Sequence, residues 1–207
     1  MDWSSVFQEF VKIWVVVDPI GTVPVFLAVT VGMTAAARRR VAVKASLTAA
    51  GILMFFLVLG QFLLDALEIR LDSFQIAGGI VLFLFALTMI FGPSKPEAEA
   101  SLEPEGGDRG VAVFPLAVPS IASPGAMLAV VVLTDNNRFS FPEQAVTATV
   151  MLFCVGVTCA LMLLAGPINR VIGSGGASII SRVMGIILAA VAVDGVLGAI
   201  SDYFRLS

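Results

Sequence analysis

Histidine is absent from the 207-residue sequence, which removes the commonest proton shuttle and metal ligand at neutral pH. Cysteine is nearly so. Cys154 and Cys159 lie five apart in an apolar run, a spacing that puts them on different helix faces and matches no metal or disulfide pattern. Both read as small core residues. Charge is sparse as well: Lys, Arg, Asp and Glu make up 13% of the chain, against about 25% in soluble domains. The net charge of -3 is concentrated in one loop, and the basic stripe that nucleic acid requires is missing. The N-terminal MDWSSVFQEFVK has neither a basic n-region nor an A-x-A site, so it does not read as a removable signal peptide.

What is present is apolar. Hydrophobic residues are 58% of the sequence and the mean hydropathy is +1.01, which identifies an integral membrane protein. A hydrocarbon core of about 30 Å takes about 20 apolar residues per helix. Six segments meet or approach that length: Val6–Thr30, Val41–Leu64, Phe74–Phe91, Val111–Thr134, Ala145–Gly166 and Ala177–Ile200. The intervening stretches TAAARRR, DALEIRLD, GPSKPEAEASLEPEGGDRG, DNNRFSFPE and NRVIGSGG are rich in loop-forming residues. Placing the first of these in the cytoplasm gives that side Arg38, Arg39, Arg40, Lys44, Lys95, Arg109, Arg170 and Arg182. Lys12, Arg70, Arg138 and Arg205 remain on the other side, so the charge bias puts both termini outside.

Internal symmetry is the next expectation, because transporters are often built from inverted repeats. Residues 1–92 form a first three-helix unit, 93–110 an acidic flexible linker and 111–207 a second unit. An odd number of crossings per half makes the second enter from the opposite side. A shift of 104 pairs Gly21 with Gly125 and Thr30 with Thr134, and a shift of 107 pairs Gly78 with Gly185. The first helix of each half is also interrupted at the same depth, by Asp18-Pro19 and by Ser123-Pro124.

Each interruption reads as a helix stop followed at once by a start. Proline disfavours the α region for its predecessor and is welcome at the first position of a new helix. Asp18 and Ser123 are suited to cap the amides so released. Pro24, Pro115, Pro119, Gly21 and Gly125 loosen the same regions further. Unpaired backbone groups cost several kcal/mol in hydrocarbon, so two breaks near the midplane imply a polar cavity. Half-helix N-termini suit a small anionic group. Asp18 requires a cation or a proton, since a charged Asp costs roughly 3 kcal/mol at the bilayer centre. A zwitterion meets both conditions, with its ammonium near Asp18 and its carboxylate on the half-helix opened by Pro124. Asp194 is the second candidate for ion coupling, and Lys12 the nearest counter-ion for either acid. Thr30 and Thr134 read as helix-end residues, and Gly78, Gly79 and Gly185 as sites of close helix contact.

The segments VDPIGTVPVFLAVT, FQIAGGIVLFLFALTMIFGP, FPLAVPSIASPGAMLAVVVLT and ISRVMGIILAAVAVDGVLGAI together resemble the MarC family of prokaryotic integral membrane proteins. The resemblance covers nearly the whole chain. It implies six transmembrane helices in a prokaryotic cytoplasmic (inner) membrane and a relation to the LysE-type amino-acid exporters. One branch of the family is similar in sequence while transporting small neutral amino acids such as glycine and alanine. The DPIG-x-x-P motif falls on Asp18, Pro19, Ile20, Gly21 and Pro24, and the PGA motif on Pro124, Gly125 and Ala126. Thr22 stands where the family often has Asn, Ser123 where it often has Gly, and Thr88 where an acid is common.

The expectation is therefore an all-α integral membrane protein with six transmembrane helices in a 3+3 inverted repeat, helices 1 and 4 broken near the midplane. Its function is expected to be secondary transport of a small polar metabolite, most simply a small neutral amino acid, by alternating access. The expected substrate site is Asp18, Pro19, Gly21, Thr22, Pro24, Ser123, Pro124 and Gly125, with Asp18 and Asp194 as coupling candidates for H+ or Na+. No catalytic residue, metal or further cofactor is expected. The partners are a small-molecule substrate and the lipid bilayer, not nucleic acid; a monomer and a homo-oligomer fit the apolar exterior equally. Two rivals make distinct demands. A non-transporting membrane component that binds a partner requires a dry, packed centre around Pro19 and Pro124. An intramembrane aspartyl protease requires Asp18 and Asp194 to share a water, and its G-x-G-D signature is absent.

Overall fold

A computed structural model describes residues 3–91, 110–136 and 139–205. The acidic linker expected at 93–110 lies outside these residues except for Gly110. The described elements are helical: α1 (Trp3–Val17), α2 (Pro19–Val29), α3 (Ala35–Ala66), α4 (Leu71–Phe91), an irregular wide-turn segment (Ala112–Ile121), α5 (Pro124–Leu133), α6 (Phe141–Leu163) and α7 (Ala165–Arg205). Five stretches are long and apolar enough to cross a membrane, with α1 and α2 counting as one, Trp3–Val29. The sixth is the irregular segment joined to α5 across a 55° bend.

Local chemistry sets the boundaries. Thr34 caps α3 by accepting the Ala37 amide at 3.3 Å. At the start of α6, the Ser140 amide and hydroxyl both donate to the Glu143 carboxylate, at 2.9 and 2.8 Å, the back-bonding half of a capping box. Within Ala112–Ile121, Phe114 and Val118 adopt extended backbone angles. Both precede proline, which excludes them from the helical region. The Ala122 amide bonds the Ala117 carbonyl five residues back, at 2.8 Å.

Contacts between helices define two ends of the bundle. At the amino-terminal end, Thr147 of α6 donates to Glu9 of α1 at 3.0 Å, and Gln61 of α3 to Asp135 after α5 at 2.9 Å. There too the Arg70 guanidinium, before α4, stacks 4.4 Å from the Tyr203 ring of α7. At the opposite end, Arg38 donates to the Thr30 carbonyl at 3.2 Å and Arg182 to that of Ile90 at 2.8 Å. Successive spans thus run in alternating directions. The core is centred on α1 and α2, whose apolar window is 61% buried against 22% for α3, α4 and the end of α7. Ala42, Ala45, Ala49 and Leu53 give α3 a fully buried stripe of mostly small side chains, along which it packs on Ala112–Ile121 and α6.

One boundary differs from expectation. NRVIGSGG, expected as a loop, is helical, and α7 is 41 residues long. Only Arg182–Arg205 forms its membrane-crossing stretch. The preceding part starts at Ala165, in a pocket shared with Arg38, and reaches Arg182 at the same end of the bundle. Glycine and serine weaken a helix by only about 1 kcal/mol or less each, and a chain beside apolar surroundings keeps its backbone bonds internal.

Two glycines fix the α4–α7 contact. A Cβ on Gly79 would lie 2.5 Å from Val196 Cγ2 and 3.3 Å from the Ala192 carbonyl; one on Gly185 would lie 2.9 Å from Met89 Cβ and 3.1 Å from the Ala86 carbonyl. Gly78 is filled instead by Leu128 of α5. Gly185→Val is expected to cost about 1–3 kcal/mol through overpacking, read as a lower thermal midpoint in detergent. Gly156→Ala, with nothing within 4 Å of its added Cβ, should leave that midpoint unchanged or raise it.

Candidate substrate site

At the first interruption Pro19 removes one amide and pushes Asp18 out of the helical region. Asp18 takes a left-handed conformation, φ 50° and ψ 64°, which Asp tolerates better than most residues. Its amide still closes α1 on the Trp14 carbonyl at 3.0 Å, and its carboxylate accepts the Gly21 amide at 3.0 Å. Thr22 returns to the Asp18 carbonyl through its amide, at 3.1 Å, and its hydroxyl, at 3.0 Å. Gly21 is required here, since a Cβ would collide with the Asp18 carboxylate. Asp18 is 2% exposed.

At the second interruption Ser123 is extended and its hydroxyl accepts the Ala126 amide at 3.1 Å. The same hydroxyl donates to the Val16 carbonyl at 2.9 Å. Val16 lies in the last turn of α1, where Pro19 and the kink at Asp18 leave carbonyls without helical partners. The second break therefore supplies what the first one lacks. A second link joins the Thr22 and Ser120 hydroxyls at 3.2 Å. With the Thr22 proton on the Asp18 carbonyl, Ser120 is the donor. The two interrupted helices meet in a buried polar junction of Asp18, Gly21, Thr22, Ser120 and Ser123. Both short helices end alike: Thr30 and Thr134 each donate to the carbonyl four residues back at 2.6 Å.

Beside the junction is a pocket of about 120 Å³ between α1, α4, α5 and α7. Val16 and Gly125 form its wall at the junction, and Lys12, Gln75 and Asp194 are its polar side chains. Lys12 and Asp194 face the same space, and among the described residues no salt bridge closes between them. Gln75 is held by α7, donating to the Gly195 carbonyl at 3.0 Å. Gly125, in the first turn of α5, keeps the wall low, because a Cβ there would strike Leu82.

The residues expected from sequence thus divide. Asp18, Gly21, Thr22 and Ser123 belong to the junction; Pro19 is buried, Pro24 half-buried within α2, and Pro124 exposed. Gly125 and Asp194 line the pocket. Asp18 and Asp194 occupy different surroundings, one capping a helix in the core and one exposed in the pocket. Sequence reasoning missed Ser120 and Gln75, whose partners lie about 100 or more residues away. It also missed Glu9, a buried carboxylate on α1 bonded to Thr147, and Asp135, bonded to Gln61. Among the described residues no group of His, Cys, Asp or Glu is arranged to hold a metal ion.

Ser123→Ala removes one donor and one acceptor at a buried position, with an expected loss of about 1–3 kcal/mol, measured as a reduced unfolding midpoint in detergent. Asp18→Asn retains both the cap and the tolerance of left-handed backbone and is expected to keep most of the wild-type stability. That variant separates the charge of Asp18 from its structural duty.

The chain matches the sequence profile described as MarC family integral membrane protein over residues 3–204. It is 32% identical to the UPF0056 membrane protein YhcE of Escherichia coli, over 98% of this chain and 95% of that one. A UPF0056 membrane protein of Archaeoglobus fulgidus is 31% identical, over 96% and 93% of the two chains. YvbG of Bacillus subtilis, likewise a UPF0056 membrane protein, is 31% identical over 96% and 95%. No solved structure matches the chain. Bacterial and archaeal relatives of full length, together with its apolar helices, put it in a cell membrane as a multi-pass protein. The chain belongs to the MarC family of integral membrane proteins.

Proposed function

We propose that this protein is a secondary transporter of a small zwitterionic metabolite, with glycine and alanine as the leading substrates. The observation that carries the reading is the pocket itself: Lys12 and Asp194 present opposite charges to one space, walled at its inner end by the first turn of a half-helix. A carboxylate between Lys12 and the α5 N-terminus and an ammonium on Asp194 would satisfy each other's charge, the condition under which charges are tolerated in hydrocarbon. Gln75 adds a fixed amide. Size supports a small solute, since about 120 Å³ lies below the range of about 300–1,000 Å³ usual for larger ligands.

The pocket lies in the amino-terminal half of the bundle, and the hydrogen-bonded junction closes its inner side. We read this as one state of an alternating-access cycle. In the other state the junction opens, and Asp18, now the cap of α2, becomes the coupling site for a proton or Na+ and a second position for the ammonium. Pro19, Gly21, Thr22, Pro24, Ser123 and Pro124 then form the path between the two positions. A 3+3 inverted repeat supports such a cycle. Its signs are the paired caps at Asp18 and Ser123 and the paired threonine ends at Thr30 and Thr134.

The test is uptake of labelled glycine and alanine into proteoliposomes, under an imposed pH or sodium gradient. Lys12→Gln and Asp194→Asn are each expected to raise the half-saturating concentration about tenfold or more, the value of losing a charge-assisted bond of about 1.5 kcal/mol or more. Asp18→Asn is expected to abolish the gradient dependence while the protein remains folded. Absence of uptake of either amino acid under both gradients would remove the assignment.

A further inference from the structure

A second and larger pocket lies at the opposite end of the bundle, at about 480 Å³. That volume falls within the range of small-molecule sites, about 300–1,000 Å³. Its floor is the start of α3, with Ala35, Arg38 and Arg39, and its accessible walls are Leu27 of α2, Leu163 at the end of α6 and Pro167 of α7. Among the described residues no acidic side chain lines it. Two features make it an anion receptor. The first turn of the 32-residue α3 contributes the positive end of its dipole, and two guanidiniums offer planar forks of donors that match phosphate. Arg38 is held in place through its Nε, which donates to the Thr30 carbonyl at 3.2 Å, a bond that does not use its two terminal nitrogens.

A hydrated inorganic anion would use the arginines and gain nothing from the leucine and proline walls. An amphiphile uses both. Because the pocket opens at the end of the membrane-crossing stretches, the amphiphile with the nearest supply is the bilayer's own lipid, whose phosphates lie at the level of basic residues flanking the spans. We propose that this pocket binds one anionic phospholipid, its phosphate on Arg38, Arg39 and the first turn of α3, and one acyl chain along Leu27, Leu163 and Pro167. Leu27 belongs to α2, so the lipid contacts one of the two half-helices of the junction. The inference does not depend on the transported solute.

The experiment uses the full chain, delipidated in a neutral detergent. Dioleoylphosphatidylglycerol, dioleoylphosphatidylcholine and inorganic phosphate are titrated separately, with bound lipid counted by native mass spectrometry and the thermal midpoint followed in parallel. Phosphatidylglycerol is expected to saturate at one molecule per chain and to raise the midpoint, with phosphatidylcholine doing neither. Arg39→Gln should weaken phosphatidylglycerol binding about fivefold, the factor equivalent to about 1 kcal/mol per basic residue, and leave the lipid-free midpoint unchanged. Arg40→Gln, exposed and outside the pocket lining, should bind as the wild type does. Equal binding of the two lipids would overturn the proposal, as would equal weakening by Arg39→Gln and Arg40→Gln. Binding of inorganic phosphate as tight as that of phosphatidylglycerol would replace the lipid with a free anion and overturn it too.

Discussion

The bond on which this architecture depends is the one from the Ser123 hydroxyl to the Val16 carbonyl, 2.9 Å long and fully interior. A helix broken inside a membrane strands backbone groups that water cannot reach, at several kcal/mol each. Asp18 answers for the amide side of its own break by accepting from Gly21. It has no proton to give to a carbonyl when ionised. The carbonyl side of α1 is answered instead by a residue 107 positions away that caps another helix with the same oxygen. The first interruption is tolerable because the second stands beside it, and the contact between the two chain halves follows from that need.

This arrangement also places the pocket. Val16 and Gly125 are wall residues of the 120 Å³ space and neighbours of the two breaks. The polar side chains of the space come from further along the same elements and their partners: Lys12 is one turn before Val16 on α1, and Gln75 and Asp194 come from α4 and α7. Close approach of α4 and α7 at Gly79 brings the last two together. Had Gly79 carried a side chain, the helices would separate and Gln75 would lose the Gly195 carbonyl that orients it.

Much of the skeleton was legible because its rules are local. Proline acts on its own φ and on the residue before it, so Asp18-Pro19 and Ser123-Pro124 declared two helix starts before any contact was known. Glycine in an apolar helix announced close packing, and Gly79 and Gly185 bear it out. NRVIGSGG misled for a physical reason: glycine and serine signal loops where water competes for backbone groups, and that competition is absent beside lipid. The cross-helix partners were not legible. Ser120, Gln75 and Glu9 carry no local signal that singles them out. Each acquires a role only through the register between distant helices.

The choice of side chain at two positions of the junction carries a further argument. Thr22 and Ser123 are both hydroxyl residues, and both spend the hydroxyl across or within the junction. A glycine at 123 has no donor for the Val16 carbonyl. An asparagine at 22 presents an amide, which can donate and accept through separate atoms and reaches further. With Asn at 22 and Gly at 123 the α1 carbonyl would have to be paired by the longer side chain instead. The junction is thus held by two short side chains, and a change at either would alter how the breaks are joined without touching the charges of the pocket.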